Sequence, residues 1–173
     1  MSDRAVLRGA RVTLRPFRAE EHDLLVRLYR ESSEFVGKVD EQALRRRIAS
    51  SGRLVGGRLD LAIEAGGTLV GNVDARHPPG ALPPGVFELG IELFAEARGR
   101  GHGSEAIELL TAHLFDELGA GRVQASTSVE NAAMRRVFAK LGFREEGVMR
   151  AFMPRAGGRR DDFVLYARVA DDR

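Results

Sequence analysis

The segment "ARGRGHGSEAIELL", residues 97–110, places three glycines at the start of a predicted helix. Apolar residues recur after these glycines every three or four positions, as on one face of a helix. They are Ile107, Leu110, Leu114 and Leu118. The preceding segment "VFELGIELF", residues 86–94, has the composition of a strand. A strand, a glycine-rich loop and a helix in this order limit the fold strongly, because both elements must meet at the loop.

The first turn of a helix has backbone N–H groups without partners and the positive end of the helix dipole, which together favour an anion. Gly99, Gly101 and Gly103 lack a Cβ, so the backbone can turn sharply and approach a ligand, while Arg98 and Arg100 add positive charge. We therefore predict a pyrophosphate site. The pattern GxxxxGK[ST] is absent, and GxGxxG fits poorly because a serine replaces its third glycine. The alternative is a glycine-rich turn that binds nothing.

Strand and helix patterns follow one another along the whole chain in the order β-α-α-β-β-β-α-β-α-β-β. The predicted strands are 11–17, 58–65, 68–76, 86–94, 122–129, 143–153 and 159–170, and the other predicted helices are 19–31, 40–50 and 131–141. Pro16 favours an edge position for the first strand. The residues predicted to face the core are Leu24, Leu25 and Leu28 in the first helix and Met134, Val137, Phe138 and Leu141 in the last. This order predicts a mixed sheet with helices packed against it, in one domain spanning residues 1–173.

The composition excludes several classes of function. The chain has no cysteine, and its four histidines show neither HxH nor HExxH spacing, so we expect no metal. The sequence pI of 9.5 overstates the positive charge: the net charge is only +2, because 25 arginines and two lysines face 25 acidic residues. The arginines are also spread along the chain, which makes nucleic acid an unlikely partner. No apolar run approaches the ~20 residues of a membrane span, and we expect a cytoplasmic protein.

Two motifs resemble those of a known family. The run R-G-R-G-x-G-S-E-A at 98–106 resembles the acyl-CoA pyrophosphate loop, [Q/R]-x-x-G-x-[G/A], of the GNAT superfamily of N-acetyltransferases. The segment "NAAMRRVFAKLGF", 131–143, is similar to the second signature of that superfamily. "TLRPF" near the start and "DDFVLYARV", 161–169, resemble the branch that acetylates the N-termini of ribosomal proteins. The resemblance covers nearly the whole chain and implies an α+β fold: a mixed, mostly antiparallel sheet of about seven strands with helices on both faces.

The resemblance also implies acetyl-CoA as cosubstrate and a place for it. In this family the strand corresponding to 86–94 diverges from its neighbour, and the pantetheine arm lies in the gap. One main-chain N–H there would polarise the thioester carbonyl, as an oxyanion hole does. Asn131 would hold the far arm of the cofactor, or simply cap its helix. The implied cofactor-binding residues are Leu93, Phe94, Ala95, Arg98, Gly99, Arg100, Gly101, His102, Gly103, Ser104 and Asn131.

Acetyl transfer to an amine needs a base, because an ammonium group has no lone pair. Glu88 is the first candidate, Glu92 on the same strand face is the second, and deprotonation through water is the third. Many members of the branch carry a serine as acid three residues after the asparagine, where this chain has Met134, whose thioether cannot donate a proton. Tyr166 and His102 could donate instead. A thiolate can also leave unaided, so a dedicated acid is not required.

Three functions are therefore compared. The first is an N-acetyltransferase in which a primary amine, on a protein N-terminus or a small molecule, attacks acetyl-CoA directly in a ternary complex. The second is an acyl-CoA-binding module without catalysis, which Met134 favours. The third is a basic domain that binds RNA or the ribosome. It depends on arginines near the C-terminus, namely Arg144, Arg150, Arg155, Arg159 and Arg160. A homodimer is left open.

Overall fold

A computed structural model describes residues 4–32 and 38–172, which contain eight strands and four α-helices. The elements are β1 Leu7–Arg8, β2 Thr13–Arg15, α1 His22–Glu31, α2 Glu41–Ser50, β3 Arg58–Ala65, β4 Thr68–Arg76, β5 Val86–Leu93, α3 His102–Asp116, β6 Arg122–Ser128, α4 Ala132–Lys140, β7 Arg144–Pro154 and β8 Arg160–Val169. None of the helices in these residues is long and apolar enough to cross a membrane.

The strands form one sheet in the order β1-β2-β3-β4-β5-β6-β8-β7. Only β5 and β6 run parallel, and all other neighbours are antiparallel. The predicted α+β fold with a mixed, mostly antiparallel sheet is confirmed. The eighth strand is β1, whose two residues are too few to give a sequence pattern and which is held by its pairing with β2.

The helices cover both faces of the sheet, as predicted. Leu61 belongs to an apolar cluster with α3 and α4, whereas its neighbour Ala62 belongs to a second cluster with α1 and α2. Because successive strand residues point to opposite faces, the two clusters lie on opposite sides of the sheet. The prediction for Leu24 is wrong: its side chain is 40% exposed, while Leu25 and Leu28 are buried. Helix α1 begins only at His22, and its buried face runs through Leu25 and Leu28.

A single carboxylate joins the N-terminal turn to α3. The backbone N–H groups of Ala10, Arg11 and Val12 donate to the two oxygens of Glu105 at 2.7, 2.8 and 3.0 Å. A side-chain carbon at Gly9 would lie 2.7 Å from the Glu105 carboxyl carbon, so glycine is required for this approach. Glu105 thus holds the β1–β2 turn against the first turn of α3. Sequence periodicity gives no sign of this contact, because it joins residues about 95 positions apart.

The first predicted strand is shorter than expected and does not lie at an edge. Strand β2 ends at Arg15, one residue before Pro16, and it is flanked by β1 and β3. Arg15 then turns inward and forms a buried ion pair with Glu21, with N···O distances of 2.6 and 3.0 Å. Burial raises the pKa of Glu21, but the hydrogen bonds from Arg15 and from the Arg18 N–H outweigh it, so the pKa lies below its usual value.

Glu21→Gln should lower the free energy of unfolding by about 1–3 kcal/mol at neutral pH, because the buried Arg15 loses one of its two carboxylate partners and keeps only Glu64, whose Oε2 lies 2.7 Å from Arg15 Nε. The pKa of Glu21 is lowered on folding, so its contribution is present above the usual value of 4.5 and is lost as pH falls through the folded value. The difference between wild type and variant should therefore shrink below about pH 4.5. Urea unfolding at several pH values measures it.

Glu20→Gln is the matched control, because Glu20 is the adjacent carboxylate and is exposed. It should change the unfolding free energy by no more than about 0.5 kcal/mol. Equal effects of the two substitutions would contradict a special role for the buried pair.

Candidate active site

Strands β5 and β6 pair only at their beginnings and then diverge. Their register contains three pairs, Val86 with Arg122, Phe87 with Val123 and Glu88 with Gln124. Beyond Glu88, residues 89–93 have no partners on β6, and a cavity of about 940 Å³ opens between the two strands and the adjacent helices. This is the divergence that the family resemblance implied.

The register of β4 determines which main-chain groups of β5 face this gap. The Phe94 N–H donates to the Val70 carbonyl at 3.1 Å. In an antiparallel pair only alternate residues bond to the partner strand, so the N–H groups of Ile91 and Leu93 point away from β4 and into the gap. A side-chain carbon at Gly71 would collide with the Glu92 carbonyl oxygen, which confirms that the main-chain carbonyl of Glu92 points toward β4.

The predicted pantetheine contacts stay predictions, but the hydrogen bonds of the chain itself bear on them. Both main-chain groups of Phe94 are already bonded, the N–H to Val70 and the carbonyl to the N–H of Ala97 at 3.0 Å. Ala95 lies beyond the strand, in a 3-10 turn. The Leu93 carbonyl accepts from Arg98 Nε at 3.1 Å, which leaves the Leu93 N–H and one carbonyl lone pair for a ligand. Ile91 is the second residue whose N–H points into the gap, and it was not among the predicted residues because strand register, not composition, selects it.

The three glycines of the loop serve two purposes. Gly99 and Gly101 have φ values of +72° and +82°, a left-handed conformation that other residues adopt only with strain. Gly101 is the residue before α3, so this turn directs the free N–H groups of the helix toward the cavity. Gly103 has ordinary dihedrals, but a Cβ there would lie 3.2 Å from Leu93 Cδ1. Its absence lets α3 pack closely on β5.

Positive charge surrounds this helix terminus. Arg98 is held by the Leu93 carbonyl. Arg11 comes from the β1–β2 turn, with its Cδ and Nε 3.6 Å from the position that a Cβ of Gly101 would take. The nearby Glu105 carboxylate accepts three backbone N–H groups. His102 Nδ1 is buried with no hydrogen-bond partner among the described residues. The loop therefore fits an anion such as a pyrophosphate.

Helix α4 forms another wall of the cavity. Asn131 caps it, with its Oδ1 accepting from the Met134 N–H at 3.1 Å, and also lines the cavity. Met134 is half-buried: it packs against the core and contributes to the cavity wall. Tyr166, a candidate acid, is buried, donates to Glu145 Oε2 at 3.0 Å and does not line the cavity.

Both candidate bases lie on the cavity floor. Glu88 is the last residue of β5 that pairs with β6, and its Oε1 lies 3.0 Å from Arg76 Nη2. Glu92 Oε1 accepts a hydrogen bond from Ser32 Oγ at 2.8 Å. Among the predicted residues the cavity is lined by Glu88, Glu92, Leu93, Arg98, Gly99, Gly101, Gly103, Ser104 and Asn131, and not by Phe94, Ala95, Arg100 or His102. Among residues 4–32 and 38–172 no three His, Asp or Glu side chains form a group that could hold a metal.

A cluster of buried charged side chains lies next to Glu88 on the cavity floor. It was not predicted from the sequence. Asp60 on β3 and Asp74 on β4 are 3% and 6% exposed. Arg58 bridges them, with Nε 2.9 Å from Asp60 Oδ2 and Nη2 3.1 Å from Asp74 Oδ2. Arg47 of α2, which packs on this sheet face, donates from its Nε to Asp60 Oδ1 at 3.0 Å. The signal was available, because charged residues at every second position of "RLD" and "DAR" place them on one strand face.

Comparisons with known proteins agree with this architecture. The sequence model of the acetyltransferase (GNAT) domain matches residues 11–144. The uncharacterized N-acetyltransferase YoaA of Bacillus subtilis (strain 168) is 36% identical over 70 residues, so the match spans only 40% of that relative and 40% of this chain.

Two solved structures are similar over nearly the whole chain. A protein described as an acetyltransferase from T. thermophilus has 28% identity and a TM-score of 0.74, covering 99% of this chain and 93% of its own. Mycobacterium smegmatis RimJ, in complex with CoA-disulfide, shares the fold with a TM-score of 0.75 at 24% identity, covering 97% of this chain and 87% of its own. Because the domain model spans most of the sequence, the chain belongs to the GNAT acetyltransferase family.

Proposed function

We propose that this protein is an N-acetyltransferase that moves the acetyl group of acetyl-CoA to a primary amine. The observation that carries the proposal is the gap between β5 and β6, which opens beside the glycine-rich start of α3. Membership of the GNAT family supports acyl transfer from acetyl-CoA. When bound, acetyl-CoA supplies the activated thioester.

The residues around the gap divide the binding of this cosubstrate between them. The N–H groups of Ile91 and Leu93 would serve the pantetheine arm, and one of them would stabilise negative charge on the thioester oxygen. The loop at 98–104 and the first turn of α3 would hold the pyrophosphate. Asn131 and Met134 would line the gap on its far side, as they line the cavity.

Glu88 is the proposed base. It stands where β5 and β6 separate, so its carboxylate lies at the closed end of the gap, where the acceptor would meet the thioester. The amine proton would pass to Glu88, and the amine nitrogen would then be free to attack. Glu92 is the second candidate, although Ser32 already donates to it, and a water relay is the third. No dedicated acid is proposed, because Met134 has no proton to donate and Tyr166 lies outside the cavity.

The acceptor is proposed to be a protein N-terminus or a small-molecule amine. The resemblance of "TLRPF" and "DDFVLYARV" to the branch that acetylates the N-termini of ribosomal proteins favours the former. The half-buried Met134 in the cavity wall keeps a second function in view, an acyl-CoA-binding module without turnover. The RNA-binding alternative is weakened by ion pairs. Arg144 contacts Asp172 at 2.6 Å, and Arg155 contacts Asp161 at 2.7 Å.

Gly101→Asp should weaken CoA binding sharply, because it places a carboxylate beside the expected pyrophosphate. Gly101→Asn is the matched control, because asparagine has the same shape as aspartate, also tolerates positive φ and carries no charge. We expect the Asp variant to bind CoA at least about tenfold more weakly than the Asn variant in titration calorimetry. Equal CoA affinities of the two variants would contradict the proposal that this loop binds the pyrophosphate.

Wild-type protein should release free thiol from acetyl-CoA when a primary amine is supplied, and Glu88→Gln should lower kcat by ~10²–10⁴-fold with CoA affinity unchanged. Glu130→Gln, an exposed carboxylate elsewhere, is the control. Thiol release is followed with a panel of peptide N-termini and small amines. Normal turnover in Glu88→Gln would move the base to Glu92 or to water, whereas CoA binding with no turnover on any amine would favour the binding module.

A further inference from the structure

Asp74 reaches across the floor of the cavity from the neighbouring strand. It lies directly opposite Gly90 in the β4–β5 register. Its Oδ1 is 2.8 Å from the position that a Cβ of Gly90 would occupy, so the missing side chain makes room for the carboxylate. Glu88 and Glu92 flank Gly90 on the same strand face. The floor therefore carries a third carboxylate between the two that the sequence identified.

One guanidinium connects Asp74 to the proposed base. Arg76 places Nε 3.3 Å from Asp74 Oδ2 and Nη2 3.0 Å from Glu88 Oε1, so the two carboxylates share its charge. The other charged groups facing Asp74 are Arg58 and Asp60 from β3 and Arg47 from α2, and the Tyr29 hydroxyl of α1 accepts from Arg47 Nη2 across 2.7 Å. The three arginines face three carboxylates, Asp60, Asp74 and Glu88.

We infer that Asp74 is a positioning residue for the deprotonation of the acceptor: by sharing Arg76 with Glu88, it lets Glu88 take up a proton while the charge of Arg76 stays compensated. The inference rests on the proposed function with Glu88 as base. The proton moves from the amine nitrogen to Glu88, and no other bond changes in this step. Asp74 acts only through Arg76.

The charges determine the direction of the effect. Without Asp74, Arg76 would have Glu88 as its only carboxylate partner within residues 4–32 and 38–172, and a neighbouring negative charge would be gone. Both changes favour ionised Glu88 and oppose its uptake of a proton. The acid limb of the pH–rate profile should then move to lower pH, and kcat should fall. Burial raises the pKa of Asp74 itself, whereas Arg58 and Arg76 favour its charged form, on which the effect depends.

Two substitutions test the inference in different ways. Asp74→Asn removes the charge, and Gly90→Ala keeps it but displaces the carboxylate, since the new Cβ would lie 2.8 Å from Oδ1. Gly90 does not have a positive φ, so alanine fits its backbone. In Asp74→Asn we expect the acid limb of kcat/KM to move down by about one pH unit and kcat to fall about tenfold. Gly90→Ala should shift the limb in the same direction by less.

The controls separate charge sharing from stability. Asp60→Asn removes an equally buried carboxylate that contacts Arg47 and Arg58 but not Arg76, and should leave the acid limb at its wild-type pH. Gly121→Ala adds a Cβ where no atom lies within 4 Å and should change neither rate nor profile. KM for acetyl-CoA should stay at its wild-type value in all four variants. Rates are measured as thiol release and normalised to folded protein by thermal melting.

Three outcomes would decide the inference. A shifted acid limb in Asp74→Asn with an unshifted one in Asp60→Asn supports it. An unshifted limb in Asp74→Asn, with only a lower melting temperature, overturns it. An acid limb that persists in Glu88→Gln also overturns it, because Glu88 is then not the group that titrates. Neither negative outcome contradicts the proposed acetyltransferase activity, which is tested separately by thiol release from acetyl-CoA by the wild type.

Discussion

The divergence of β5 from β6 is the constraint on which the rest of this molecule depends. Every other neighbouring pair of strands in the described sheet is antiparallel, whereas these two are parallel and joined by three residue pairs. Buried N–H and C=O groups need partners, so the edge of β5 that faces the gap must bond to water or to a ligand. Helix α3 packs on both β5 and β6. The unpaired strand edge thus leaves backbone groups available for the proposed cosubstrate.

Sequence patterns predicted the features that depend on residues close together in the chain. They did not predict contacts between residues that are far apart in the chain. The element order and the glycine-rich loop came from periodicity and from backbone preference, and the left-handed Gly99 and Gly101 agree with it. The main chain of Phe94 was assigned to the ligand, yet it is bonded to Val70, because its orientation depends on the β4 register. Arg11 could not be found either: it is far from Gly101 in sequence and reaches it only through the fold.

The ion pairs on the sheet face beneath α1 and α2 are formed by arginines and not by lysines. Arg58 bridges Asp60 and Asp74, and Arg76 bridges Asp74 and Glu88, each through different nitrogens of one guanidinium. A lysine ammonium is a compact, strongly hydrated charge without this fixed fork of donors. A net charge of only +2 is consistent with arginines that serve internal pairing more than attraction of a polyanion. The candidate catalytic carboxylate is therefore part of the network that joins three adjacent strands.

The contact of Glu105 with the N-terminal turn has a consequence for local motion. The amides of Ala10, Arg11 and Val12 are bonded to a carboxylate on α3 instead of a neighbouring strand. Their protection from hydrogen exchange therefore depends on the first turn of α3 staying folded. These three amides are natural reporters of the order of the glycine-rich loop, since an opening of that helical turn would expose them to solvent together while the centre of the sheet stays closed.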